Sequence, residues 1–197
     1  MKAVVITPEK TLELRELPAP EAKAGYVVID VYAAGVNRAD LLQVDGNYPP
    51  PAGCPEWMGL EIAGVITEIG KNVTNWHVGD RVCALLGGGG YAEYVAVKHD
   101  MLMPVPKGLS MVEAAALPEA YATSYLNLFI EGHLEAGQTA FIPAGASGLA
   151  SVAIPMAKAF GVRVITTVLS DEKQEKLAAN NVEEQDIVLG VRPEHIV

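Results

Sequence analysis

The run Pro143-Ala144-Gly145-Ala146-Ser147-Gly148-Leu149-Ala150 follows the strand-like Thr139–Ile142 and opens a helix-like stretch from Ser147 to Phe160. Small residues in that setting let backbone N–H groups and the positive end of a helix approach a dinucleotide diphosphate. The expectation is that the amides between Ala144 and Ala150 lie open for that purpose. The alternative is a tight strand-to-helix turn that binds nothing. At the end of the next apolar run stands Val168-Leu169-Ser170-Asp171-Glu172-Lys173. An acid there favours the free 2′-hydroxyl of NAD, whereas a cation accommodates the 2′-phosphate of NADP. Ser170 and Lys173 are placed to clasp that phosphate. Asp171, one residue into the next helix, is read as stabilising its N-terminus with Ser170 as N-cap. A helix start without a ligand is the competing reading.

Other eye-catching residues carry less. Gly87-Gly88-Gly89-Gly90 precedes the strand-like Tyr91–Val97 rather than a helix, so it reads as a flexible turn between strands and not as a phosphate loop. His77, His99, His133 and His195 are scattered, and Cys54 and Cys83 lack CxxC spacing. No metal site or disulfide framework follows, and a reducing, cytoplasmic setting is expected. Acidic residues number 24 against 14 basic ones, a formal charge of −10. That field opposes nucleic acid and anionic lipid, so neither is expected as a partner and an anionic ligand needs a local, backbone-built site. No apolar run approaches the roughly 18 residues of a membrane span.

The elements that must position these groups fall into two kinds. Up to about Lys107 the chain shows short β-rich runs closed by turn residues: Lys2–Ile6, Tyr26–Ala33, Ile62–Ile69, Arg81–Leu85 and Tyr91–Val97. From Ser110 the pattern changes. Met111–Leu117 reads as a helix with a capping box of Ser110 and Glu113, and Glu119–Glu131 as a second helix. Strands Thr139–Ile142, Val162–Val168 and Asp186–Val191 then alternate with helices Ser147–Phe160 and Asp171–Ala179, which implies βαβ units on a parallel sheet. The expected architecture is a β-barrel domain over 1–114, followed by a partial doubly wound α/β domain over 115–197.

Four ordered motifs sharpen this reading: Ala33-Ala34-Gly35-Val36-Asn37-Arg38-Ala39-Asp40, Gly46-Asn47-Tyr48-Pro49-Pro50-Pro51, Met58-Gly59-Leu60-Glu61-Ile62-Ala63-Gly64 and Val78-Gly79-Asp80-Arg81-Val82. Together they resemble the zinc-independent quinone oxidoreductase branch of the medium-chain dehydrogenase/reductases. Leu85–Gly90 and Pro118-Glu119-Ala120 resemble its p53-inducible type. The resemblance implies a GroES-like catalytic domain, then a Rossmann domain, with NADPH bound in the cleft between them. It implies that Asn37 and Tyr48 line the acceptor site with Asp40 near them, and that the Tyr48 hydroxyl bonds the acceptor oxygen as charge grows there. For Asp40 a helix-start role after Asn37 is equally open. Thr123 matches a threonine facing the nicotinamide; its structural alternative is a buried hydroxyl bonded to the preceding turn.

Zinc-dependent relatives carry a cysteine and a histidine where this chain has Asn37 and Leu60. The expected chemistry is therefore metal-free hydride transfer to a small quinone, with an enone as the alternative acceptor. Ala150 stands where glycine is usual, Pro143 removes a backbone donor, and Val191 replaces a tyrosine often found near the 2′-phosphate. The resemblance also implies further strands after the third, so the chain is expected to be C-terminally truncated and to pair as a homodimer through its sheet edge. A non-catalytic remnant that binds nucleotide weakly, or serves as an interaction module, is the rival outcome.

Overall fold

The computed structural model describes residues 1–170, 172, 173, 175 and 187–189. The chain divides into two compact units, Met1–Glu119 and Ala120–Val197.

The first unit opens with an antiparallel hairpin of β1 (Lys2–Ile6) and β2 (Leu12–Glu16). The sequence pattern hides β2 because all five of its residues are exposed and no buried face imposes an alternation. A five-stranded antiparallel sheet follows, formed by β3 (Tyr26–Ala34), β4 (Glu61–Ile69), β5 (Arg81–Leu85), β6 (Tyr94–Lys98) and β7 (Leu102–Pro104) in the order β6-β3-β4-β5-β7. Between β3 and β4 lies the short helix α1 (Arg38–Val44). Neither α1, at seven residues, nor β7, at three, is long enough to show a periodicity.

Alternation along the strands builds two apolar layers, since successive side chains leave a strand on opposite faces. Val27 and Ile29 of β3, Ile62 and Ile66 of β4, and Val82 and Ala84 of β5 form the main core with Val95, Val97 and Leu102. The intervening residues Ala63 and Cys83 pack with Ala114 and Ala115 of α2 (Met111–Ala115). The expected capping box holds: Ser110 Oγ accepts from the Glu113 N–H, and the Glu113 carboxylate accepts from the Ser110 N–H at 2.8 Å. The Ser110 N–H, and its hydroxyl at 2.7 Å, both donate to the carboxylate and hold the Glu113 carboxyl below its ordinary range.

The Gly87–Gly90 run does join two strands, but it is packed rather than free. Gly88, Gly89 and Gly90 are buried, and a Cβ on Gly88 would come within 2.6 Å of the Pro55 carbonyl oxygen. The glycines are there because the segment from Cys54 to Gly59 passes directly against them, a close approach that side chains would block.

The single helix expected over Glu119–Glu131 is two pieces, α3 (Pro118–Tyr125) and a π-helical turn, Leu126–Glu131, in which the Gly132 N–H reaches the Asn127 carbonyl. The second unit then runs through β8 (Thr139–Ile142), α4 (Gly148–Ala159), β9 (Arg163–Val168) and β10 (Ile187–Leu189). The three strands are parallel in the order β10-β9-β8, as the βαβ reading required. Ala150, Ile154 and Ala157 of α4, spaced at helical intervals, pack on Ala140, Val164 and Val168 of the strands. Glu172, Lys173 and Glu175 are helical, while Asp171 and the remainder expected as helix to Ala179 lie outside the described residues, as do Asp186, Gly190 and Val191. Among the described residues no helix is long and apolar enough to cross a membrane.

Candidate active site

Two groups of site residues emerge, one in each unit. In the first, Asn37 is the N-cap of α1, and Asp40 three residues later accepts a 2.7 Å hydrogen bond from the Asn37 backbone N–H. The structure thus gives Asp40 the helix-start role. Asp40 is 2% exposed, and its Oδ2 also receives the Tyr91 hydroxyl at 2.8 Å. Among the described residues its Oδ1 is buried without a hydrogen-bond partner. Tyr91 is held from both sides, its N–H donating to Met58 O at 3.0 Å and its carbonyl accepting from Val4 N–H at 2.8 Å.

Glu61, the first residue of β4 and 4% exposed, is the centre of the group. Its Oε1 accepts from the Asn37 side-chain amide at 2.8 Å, and its Oε2 accepts from the Glu119 N–H in the first turn of α3 at 2.9 Å. Its carbonyl accepts from the Gly35 N–H at 3.1 Å. Burying two carboxylates this completely is costly unless hydrogen bonds compensate, and these bonds do so at both Glu61 oxygens and at Asp40 Oδ2. The field they create is visible in their neighbours. Burial, then the hydrogen bond to Asp40 and the charges of Asp40 and Glu61, push the Tyr91 phenol well above its ordinary range. Burial and the same two charges push the Glu119 carboxyl up. Burial is also the main cause raising the Cys83 thiol, with Glu61 adding to it.

The Tyr91 shift sets an alkaline stability limit. The native state keeps a proton that unfolded tyrosine releases near pH ~10, so this contribution is complete below that pH and declines as pH rises above it. Tyr91→Phe should lose about 1.5–3 kcal/mol at neutral pH, the worth of a hydrogen bond to a charged group. In urea unfolding between about pH 8 and 11 the variant should also show a flatter decline than wild type. Parallel curves would refute the assignment.

Tyr48, expected beside Asn37, lies past the end of α1, is 40% exposed, and has no hydrogen-bond partner among the described residues. Of the three residues expected at the acceptor site, hydrogen bonds join only Asn37 and Asp40. Sequence reasoning assigned no role to Glu61, Tyr91 or Glu119. One signal was available for the first: a charged residue inside the apolar stretch Met58–Gly64 must find partners if that stretch is buried.

In the second unit the small-residue turn joins β8 to α4, with Ser147 as N-cap. The expectation of open amides from Ala144 to Ala150 needs correction. Ala144 N–H donates to Thr167 Oγ1 at 3.2 Å, Gly145 N–H to Thr167 O at 2.9 Å, Ser147 N–H to Ala144 O at 2.8 Å, and Ala150 N–H to Ser147 Oγ at 3.1 Å. The chain uses these donors to tie the turn to β9 and to cap its own helix. The amides of Ala146, Gly148 and Leu149 make no hydrogen bond among the described residues, and a Cβ on Gly148 would meet nothing within 4 Å. Three unspent N–H groups at the positive end of a twelve-residue helix still fit a diphosphate. Thr123 in α3 is half-buried, and among the described residues its hydroxyl makes no bond to the preceding turn, so the structural alternative raised for it is not what is seen. Ser170 accepts a main-chain bond from Lys173 N–H at 3.1 Å, and the Lys173 side chain is exposed.

The class of protein follows from these two units. A GroES-like β-domain precedes a partial Rossmann arrangement, and residues 23–107 match the alcohol dehydrogenase GroES-like domain. The chain has the medium-chain dehydrogenase/reductase fold. Its relatives include quinone oxidoreductase-like protein 2 homolog of Nematostella vectensis, 40% identical over 71% of this chain and 39% of that protein. Among solved structures, the quinone oxidoreductase of Thermus thermophilus, determined also in complex with NADPH, superposes with a TM-score of 0.77 at 37% identity, over 93% of this chain and 58% of that one. The CurK enoyl reductase superposes with a TM-score of 0.85 at 26% identity, over 95% of this chain and 59% of that one. The chain therefore spans between about two fifths and three fifths of the length of these relatives.

Proposed function

We propose that the chain works as a metal-free, NADPH-dependent oxidoreductase acting on a quinone-like carbonyl acceptor. The observation that carries this reading is the turn before α4, where among the described residues Ala146, Gly148 and Leu149 keep their amides unspent at a helix start between two parallel strands. The likeness to quinone oxidoreductases supports it. When bound, NADPH supplies a hydride; the chain's own residues do the rest. The three amides hold the diphosphate, Ser170 and Lys173 clasp the 2′-phosphate, and Thr123 meets the nicotinamide. Asn37 and Tyr48 receive the acceptor, the Tyr48 hydroxyl donating to the oxygen on which charge develops. Asp40, buried against Tyr91, steadies the helix that begins at Asn37. Asn37 and Leu60 present an amide and an alkyl group where zinc-dependent relatives carry metal ligands, so the acceptor must itself be readily reduced.

A second reading, reduction of an enone or enoyl group, is favoured by the likeness to the CurK enoyl reductase. Both are tested by mixing the purified chain with NADPH and either a simple quinone or an α,β-unsaturated ketone and following cofactor oxidation. Faster turnover of the quinone is expected. No rate above buffer with either acceptor, from a chain shown to be folded, would instead favour a non-catalytic nucleotide-binding or interaction role. Lys173→Glu should weaken NADPH binding by about tenfold, the order of one charge-assisted hydrogen bond, and leave NADH binding unchanged. Equal effects on the two cofactors would remove Lys173 from the phosphate site.

A further inference from the structure

We propose that Glu61 is a positioning residue that holds the Asn37 side chain in one orientation, leaving a single amide N–H of Asn37 to donate to a carbonyl oxygen. The proposal rests on the reading of Asn37 as an acceptor-site residue. It deepens that reading by naming what turns Asn37 into a hydrogen-bond donor.

Both Glu61 oxygens act as acceptors, one from Asn37 Nδ2 at 2.8 Å and one from the Glu119 backbone N–H at 2.9 Å. An ionised carboxylate has no donor to offer, so the nitrogen end of the Asn37 amide, and not its oxygen, must face Glu61. That nitrogen carries two hydrogens. One is spent on Glu61, and the other makes no hydrogen bond among the described residues. The bond to a buried anion fixes the plane of the amide and therefore the direction of the remaining N–H. Glu61 in turn cannot swing aside. It is 4% exposed, its main chain is paired to Gly35, and its carboxylate lies so close to Gly35 that a Cβ there would collide with the Glu61 Oε1. The absence of a side chain at position 35 is what lets the carboxylate reach Asn37. The ligand chemistry is then set: a carbonyl oxygen is accepted, and charge developing on it is stabilised by a donor that needs no reorganisation.

Glu61→Gln separates this role from simple packing, because it is nearly isosteric yet offers one acceptor and one donor where two acceptors are needed. Either Asn37 turns its oxygen toward position 61 and withdraws its N–H, or the first turn of α3 loses its cap. In the double variant Glu61→Gln/Asn37→Asp the pair is matched again with reversed polarity. The new amide at position 61 donates to the new carboxylate at position 37, but no side-chain N–H remains at position 37. Glu61→Gln should lower kcat with a quinone by about a hundredfold, the loss typical of one donor to a developing oxyanion, with the NADPH binding constant unchanged. The double variant should regain wild-type thermal stability and remain slow. A purely structural role for the Glu61–Asn37 pair as a whole predicts the opposite, recovery of turnover together with stability. Recovery of both, or wild-type turnover in Glu61→Gln while Asn37→Ala is slow, overturns the proposal.

A second readout stands apart from turnover. The Asn37 side-chain amide resonances, assigned by their loss in Asn37→Ala, should be protected from hydrogen exchange in wild type and lose that protection in Glu61→Gln. Unchanged protection in Glu61→Gln overturns the positioning role. If protection is lost in Glu61→Gln while the wild-type chain fails to oxidise NADPH with either the quinone or the unsaturated ketone, the Glu61–Asn37 lock is upheld and the proposed activity is refuted instead.

Discussion

Gly59→Ala should destabilise the chain by about 2–6 kcal/mol, a large share of the roughly 5–15 kcal/mol typical of folded proteins. Gly59 has φ +106, and a Cβ there would come within 2.6 Å of the Gly90 Cα and closer still to the Tyr91 nitrogen. The strained backbone accounts for about 1–3 kcal/mol and the forced displacement of Gly90 and Tyr91 for about another 1–3. Displacing Tyr91 also breaks its bond to Asp40, so the loss reaches the candidate site. Gly79→Ala is the control: φ there is +96, but a Cβ would meet nothing within 4 Å. It should show the backbone cost alone. Urea midpoints for the two variants test this, and a Gly59→Ala midpoint equal to that of Gly79→Ala would mean that the close approach of the two segments contributes nothing.

Ile62→Ala should lose about 2–5 kcal/mol, the range for emptying a fully buried aliphatic site. Ile62 is 0% exposed between β3 and β5, paired with Ala34 on one side and Ala84 on the other. Its neighbour Glu61 shares the same stretch of β4, so a cavity at position 62 loosens the strand end that carries the carboxylate. Val36→Ala, at a residue 81% exposed, removes a comparable side chain and should stay within about 0.5 kcal/mol of wild type. Thermal unfolding of the pair would decide it; similar melting temperatures would show that burial at position 62 carries none of the expected weight.

Both results depend on contacts between residues far apart in the chain, which is where legibility in the sequence ends. Local patterns were readable because they have local causes. The Ser110–Glu113 capping box spans three residues. The strand–turn–helix order around Ser147 reports a βαβ unit, whereas in β3 Val27, Val28 and Ile29 are buried in succession and leave no alternation to read there. Asp40 bonding back to Asn37 is likewise an effect of three residues' reach. The turn from Ala144 to Ala150 was only half legible: small residues announce a close backbone approach, but whether an amide stays open depends on Thr167, some twenty residues onward.

By itself the sequence determined the two-part architecture, the class of strand and helix in most segments, and the candidacy of Asn37, Asp40 and the small-residue turn. Periodicity and capping act over a few residues and leave their mark in residue order. Only the tertiary structure decided that Glu61 joins Asn37 to the start of α3, that Tyr91 closes over Asp40 from a loop 51 residues away, and that glycines at 59 and 87–90 serve contact between segments. Hydrogen bonds across such separations depend on strand register and on the direction in which each Cβ leaves the sheet. Those are fixed when the two faces of β4 are buried together, and no stretch of neighbouring residues encodes them alone.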